Sequence, residues 1–293
     1  MITKRTKALE LIKGNEMLFK CPVCSENIFI NNESFICKKN HSFDIAKKGY
    51  MNLLTSNYNS FYSKELFEAR HKICESGFYK PLINKISELV SNVINTNKED
   101  ISILDAGCGE GSHLYMLSQS LESKGEITFL GTDISKESIG IAARNNSSII
   151  WFVGDLTKLP LKDHSVDIVL NILSPANYQE FHRILEKDGI IIKVVPGNNY
   201  LKEIREKIFT GEEGLDYSNE KVVKHLEDNL ELIAYENLNY SFPIDNNLLP
   251  ELLKMTPLTW GKGIDNSEII EGEAFDSITI DLVILIGKKK VSL

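Results

Sequence analysis

No apolar run in the sequence approaches the roughly 18 residues needed to span a bilayer, which excludes a helical membrane anchor from its reading. The opening residues, MITKRTKALELIKGNE, hold neither an unbroken apolar stretch nor a small-residue cleavage site. No signal peptide is therefore expected, and the expected compartment is the cytoplasm. Internal repeats and low-complexity tracts are missing, so neither a repeat array nor a compositional tail is expected. Disorder is excluded by a composition of 42% hydrophobic and 25% charged residues over 293 positions, enough to build a sizeable core. Cysteine is sparse and odd in number, at five, with three of the five inside residues 21–37. That count does not suit a disulfide framework; it suits a reducing compartment and a metal site.

What is present is unevenly distributed. The net charge is −8, yet residues 1–80 carry 13 Lys and Arg against 8 Asp and Glu, leaving 20 against 33 for the rest. A polyanion would meet the first eighty residues; alternatively these lysines only keep a small module soluble. Residues 1–14 read as a short charged helix with Ala8, Leu9, Leu11 and Ile12 on one side. Residues 51–63, polar and aromatic, read as a linker, and Lys64 to Val93 as helix broken near Gly77 and Pro81.

Beyond residue 100 the pattern alternates. ISILDA (101–106), TFLGTDI (128–134), IIWFVG (149–154), VDIVLNIL (166–173) and GIIIKVVP (189–196) read as strands separated by helices. Such alternation implies an α/β fold with parallel strands joined by right-handed crossovers. LELIAYENLNYSF (230–242) and SITIDLVILIGKK (277–289) add two long strands that could pair antiparallel, giving seven in all. The expected domains are an extension at 1–14, a metal module at 15–54, a linker and helix at 55–75 and the α/β domain at 76–293.

Two patterns carry chemistry. Cys21, Cys24, Cys37 and His41 form C-x2-C-x12-C-x3-H. Three thiolates and an imidazole suit tetrahedral Zn²⁺, and four protein ligands leave no open position, so the ion would be structural. A segment this short needs the metal to fold. The second pattern is Asp105-Ala-Gly107-Cys-Gly109-Glu110-Gly111 after the first strand. Its third glycine comes too early for the dinucleotide fingerprint, and its acidic start is poor for phosphate. It suits a ligand with a cationic amino-acid end, such as S-adenosylmethionine. Asp133 ends the second strand and could accept the ribose hydroxyls; Asp155, next to Leu156, ends the third and could accept an adenine amino group. Both could instead simply cap the helices that follow.

The chain resembles the bacterial 23S rRNA guanine-N1 methyltransferase family from about Leu18 to Ile286. The resemblance rests on CPVC (21–24), HSFDIAKKGYMNLL (41–54), EAR (68–70), GFYKPL (77–82), LDAGCGEG (104–111), VVPG (194–197) and MTPLTW (255–260). It implies a Rossmann-like class I methyltransferase domain behind an RNA-engaging zinc module, with cofactor contacts from Tyr79, Gly109, Glu110 and Gly111. Members carry a histidine after the VVPG turn where this chain has Tyr200, and they carry basic residues and a Gly-Asp pair in the linker where this chain has SNYNSFYS. A hairpin loop of 23S rRNA is the implied partner, with a homodimer left open.

Guanine N1 holds a proton at neutral pH, so an enzyme acting there needs a base or donors toward O6. The place for them is the end of the fourth strand, with Asn171 and Ser174 of NILSP as candidates beside Tyr200; a plain strand-to-helix turn explains the same residues. Tyr200 and Trp260 could stack on a base. Lys38, Lys39, Lys47, Lys48 and Arg70 could meet phosphates, with Phe35, Phe43, Tyr50, Phe61 and Tyr62 interleaved for stacking or for the module's own core. The competing expectations are a methyltransferase of a small molecule or peptide and a cofactor-binding protein without turnover.

Overall fold

The computed structural model describes residues 2–56, 58, 62–94, 100–123, 125–209, 218–259 and 275–290. Helix α1 (Lys4–Gly14) opens the chain, its start capped by the Thr3 side chain, which accepts from the Thr6 N–H. Of the four apolar positions expected to face inward, Ala8 and Ile12 are buried. A three-stranded antiparallel sheet follows, β1 (Ile28–Asn31), β2 (Ser34–Cys37) and β3 (Ser42–Asp44), with Ile28 opposite Cys37 and Ser34 opposite Asp44.

The next strand, β4 (Tyr50–Asn52), leaves this small sheet. Then come α2 (Lys64–Glu75) and α3 (Lys80–Ile94), β5 (Ile101–Ala106), α4 (Ser112–Ser120), β6 (Ile127–Asp133), α5 (Lys136–Asn145) and β7 (Ile150–Val153). The expected break in the helical stretch is real: Gly77 adopts φ +87° between α2 and α3, and Pro81 sits in the first turn of α3, where its missing N–H costs nothing. The chain continues through β8 (Val166–Ile172), α6 (Tyr178–Ile184), β9 (Leu185–Pro196), α7 (Lys202–Ile208), α8 (Glu220–Asn229), β10 (Leu230–Pro243), α9 (Leu248–Met255) and β11 (Ser277–Lys289).

The large sheet has the order β10-β11-β9-β8-β5-β6-β7-β4 among the described residues. Pairs from β9 to β4 are parallel, and β10 and β11 are antiparallel to each other, with β11 antiparallel to β9. All six residues of β5 are buried, as expected of a strand covered on both faces. The sheet has eight strands, not the expected seven. The extra strand is β4, which falls at the boundary between the expected metal module and linker. Three residues are too few to show a period, but Tyr50 and Met51 are both buried and pair with Trp151 and Phe152. Among the described residues no helix is long and apolar enough to cross a membrane.

The small module is not a separate bead. Phe19 is fully buried and meets Phe35 of β2 and Phe152 of β7 edge-on, at ring-centre distances of 5.4 and 5.6 Å. The core on that side of the sheet is thus continuous from the cysteine cluster to β5, β6 and β7. Main-chain bonds from Lys20 N–H to Pro160 and from Lys162 N–H to Leu18 tie the same seam.

Candidate functional site

The metal cluster assembles from the turn before β1 and the turn after β2. Donor atoms of Cys21, Cys24, Cys37 and His41 all lie within 4.8 Å of one another. Cys24 Sγ is 3.7 Å from Cys37 Sγ, and His41 Nδ1 is 3.3 Å from Cys37 Sγ and 3.6 Å from Cys21 Sγ. Zn–S bonds of about 2.3 Å in a tetrahedron put sulfurs about 3.8 Å apart, so the four side chains fit that ion. Burial raises the Cys37 thiol, but the backbone N–H groups of His41 and Lys39, together with the Cys24 and Cys21 thiols, bring it down to about 7.

The second site is a cleft of about 870 Å³ at the carboxyl ends of the parallel strands. Seven residues expected at a cofactor line it: Tyr79, Gly107, Gly109, Asp133, Asp155, Leu156 and Tyr200. The loop after β5 turns on Gly107 at φ +83°, and a Cβ there would strike Ser174 Oγ at 1.9 Å. Asp133 accepts the N–H groups of Gly109 and Ser135, each at 2.9 Å, and burial raises its pKa. Asp155 accepts the Thr157 N–H at 2.8 Å and the Thr157 hydroxyl at 2.7 Å. Both carboxylates therefore close local turns and face the cleft as well. Tyr79 and Tyr200 join their hydroxyls at 2.8 Å.

Three expected contacts are not among the residues that line the cleft. Asp105 lies beneath the loop, 1% exposed, with both carboxylate oxygens lacking a hydrogen-bond partner among the described residues. Burial lifts it to about 7; Arg70 opposes that rise, while Asp133 and Glu110 add to it. Glu110 turns away from the cleft and takes His71 Nδ1 at 3.0 Å and the Ser112 hydroxyl at 2.6 Å. Gly111 starts α4 at φ +84°, and a Cβ on it would lie 2.5 Å from Trp151, so its role is packing.

Arg70, expected among the phosphate contacts, stands apart from the lysines. Helix α2, capped by Ser63, carries it to the cleft wall, where its guanidinium faces Gly109. No described residue hydrogen-bonds or ion-pairs it, although Glu110 and Asp105 lie near enough to favour its charge. Lys38, Lys39, Lys47 and Lys48 are exposed on the small module; Lys39 pairs with Glu26 at 3.5 Å, and Lys48 reaches toward Gly140 of α5. Phe35 and Tyr50 are buried, so they fill cores and do not stack on a ligand. Phe61 and Trp260 lie outside the described residues.

At the end of β8, Asn171 is fully buried and committed to the backbone. Its amide donates to Ala106 and Pro175 carbonyls at 2.7 and 3.0 Å. It therefore has no free group for a substrate, a correction to its candidacy. Ser174 lines the cleft, behind Leu173 in the left-handed region at φ +51°. That conformation costs an ordinary side chain roughly 1–2 kcal/mol and is held by the loop around it. The far wall, unforeseen from sequence, is built by Tyr178, Lys193, Lys221 and His225. An arginine and a buried carboxylate without partners among the described residues, beside a glycine cradle, suit a zwitterionic amino-acid group.

Residues 19–59 match the family described as RlmA, N-terminal, and residues 103–189 match the family described as Methyltransferase domain. The chain is 38% identical over 276 residues to "Putative 23S rRNA (guanine-N(1)-)-methyltransferase YxjB" of Bacillus subtilis (strain 168), covering 93% of this chain and 97% of that protein. It is 27% identical over 252 residues to the 23S rRNA (guanine(748)-N(1))-methyltransferase of Streptomyces fradiae, covering 84% and 87%. Among solved structures, the PH0226 protein of Pyrococcus horikoshii OT3 matches with a TM-score of 0.44 and 16% identity over 71% of this chain and 90% of that one.

Proposed function

The chain belongs to the 23S rRNA guanine-N1 methyltransferase family, and from that premise we propose that it methylates N1 of a guanine in a hairpin loop of 23S rRNA. The observation that carries the reading is the near full-length likeness to YxjB, which spans the Cys3His cluster and the cleft alike. A loop is the fitting target because the Watson–Crick edge of its bases is free or readily flipped out. A ribosomal substrate places the work in the cytoplasm.

S-adenosylmethionine, when bound, supplies an electrophilic methyl group on a sulfonium. The residues that would hold it are Arg70 for the carboxylate, Asp105 for the ammonium, Asp133 for the ribose hydroxyls, and Asp155 with Leu156 for the adenine. Tyr79 and Tyr200, joined through their hydroxyls, wall the side nearest α3. Lys38, Lys39, Lys47 and Lys48 would meet phosphates, and the zinc ion would fix the module that presents them. Positioning in a water-poor cleft carries much of the rate.

Naked 23S rRNA incubated with the protein and isotope-labelled cofactor tests the proposal. The expected product, mapped by mass spectrometry, is N1-methylguanosine at one loop position. Transfer to no guanine N1 would reject it.

A further inference from the structure

Lys193 is the odd residue of β9: a cation in the middle of GIIIKVVP, 4% exposed, lining the cleft. Its neighbour across the sheet is Asn171, and Nζ donates to Asn171 Oδ1 at 2.5 Å and to the Ser174 carbonyl. Both acceptors are neutral. Of the other titratable groups on this wall, Tyr178 comes from α6 and Lys221 and His225 from α8. None is a carboxylate. The acids of the cleft, Asp133 and Asp155, stand at the ends of β6 and β7, and the strand pairs from β9 to β7 place β8, β5 and β6 between Lys193 and β7. The buried environment pushes the lysine down to about 8.

The donor count is informative. A neutral amine has two N–H bonds and one lone pair. Asn171 and Ser174 take the two N–H bonds, which leaves the lone pair without a protein partner among the described residues. Resting on the guanine-N1 reading above, we propose that Lys193 is the general base that removes the N1 proton of the target guanine. The N1–H proton passes to the Nζ lone pair as N1 gives its electrons to the methyl carbon. The bond from that carbon to sulfur breaks with its electron pair left on sulfur. The ammonium then returns its proton to water.

The same arrangement explains why Asn171 and Ser174 matter without touching substrate. They hold the amine in place, and the left-handed turn at Leu173 brings the Ser174 carbonyl to it. In sequence Lys193 looks like the solvated end of a strand; a lysine between isoleucines and valines in a covered strand is not.

Single-turnover methylation of a 23S rRNA hairpin, followed against pH, tests the assignment. Wild-type rate is expected to rise with pH and level above about 8. Lys193→Arg keeps donors for both acceptors but cannot give up its proton; it should lose about 100-fold or more in rate while cofactor and RNA affinity stay unchanged. Lys193→Ala should regain rate with added primary amines, more for the more basic ones. Retained activity in Lys193→Arg, or rescue indifferent to amine basicity, overturns the inference. These failures are distinct from failure of the guanine-N1 reading, which shows as wild-type protein that methylates another atom or none.

Discussion

The metal cluster and the cleft are built on opposite plans. Four ligands within residues 21–41 close the first, so its whole chemistry is a local spacing. The second draws on residues from Tyr58 to Pro257 and exists only once the strands are ordered. One tetrahedral ion would satisfy every donor of the cluster. The cleft keeps groups in reserve: Arg70 and Asp105 have no partner among the described residues, and Lys193 sits where its charge is poorly solvated. A structural site gains by saturation, and a reactive one by being left incomplete.

Stripping the metal probes that contrast most forcefully. Metal binding supplies on the order of 10 kcal/mol of folding free energy in small zinc modules. Chelation, or Cys24→Ala, is expected to lower the melting temperature of the whole chain, because Phe19 and Phe35 share a core with Phe152. Calorimetry showing the α/β domain melting at the same temperature with and without chelator would separate the two regions after all. Next in size is Gly111→Ala, which adds a Cβ against Trp151 at a left-handed position and should cost about 3 kcal/mol in denaturant unfolding. Gly14→Ala, with open space around it, is its control and should be near neutral.

Asp105→Asn sharpens the idea of reserve. The folded carboxyl titrates near 7, above its ordinary 3.8, so the fold prefers the protonated form. For this group alone, stability is fully present below about pH 4 and is lost as pH rises toward 7. The asparagine variant should therefore be more stable than wild type at pH 8. It should also bind S-adenosylmethionine about 10- to 100-fold more weakly by titration calorimetry. Wild-type affinity for the cofactor should rise with pH through the same range. Unchanged affinity in the variant would remove Asp105 from the site.

The smallest effect is expected at the module's surface. Replacing Lys47 and Lys48 with glutamate should weaken rRNA binding and reduce the salt slope by about 2, with the rate at saturating RNA kept. An unchanged slope would return those lysines to mere solubility.

Legibility followed the same division. The cysteine spacing, ISILDA and the glycine loop could be read because each is short and continuous, and the strand–helix alternation gave the parallel sheet. β4 could not be read: YMN has no period, and only its pairing with β7 makes it a strand. Arg70 reads as one more basic residue near the others until α2 packs and turns it to the glycine loop. Asn171 looks like a substrate donor until its amide is seen spent on two carbonyls. Asp133 and Asp155 read either as helix caps or as ligand contacts; in the structure Ser135 caps α5 and no described helix follows Asp155 before β8, so each carboxylate closes a local turn and lines the cleft.

β4 also couples events that the sequence keeps apart. It runs out of the zinc-ribbon sheet into the edge of β7, where Leu53 N–H bonds Val153 two residues before Asp155. Whatever steadies one end of that splice steadies the other, and thermodynamic reciprocity makes the benefit equal in both directions. Occupying the cofactor cleft should tighten zinc binding, read as competition against a chelator at equilibrium, by the same free energy with which zinc tightens the cleft. The ribbon would then act as a remote strut for the donor pocket.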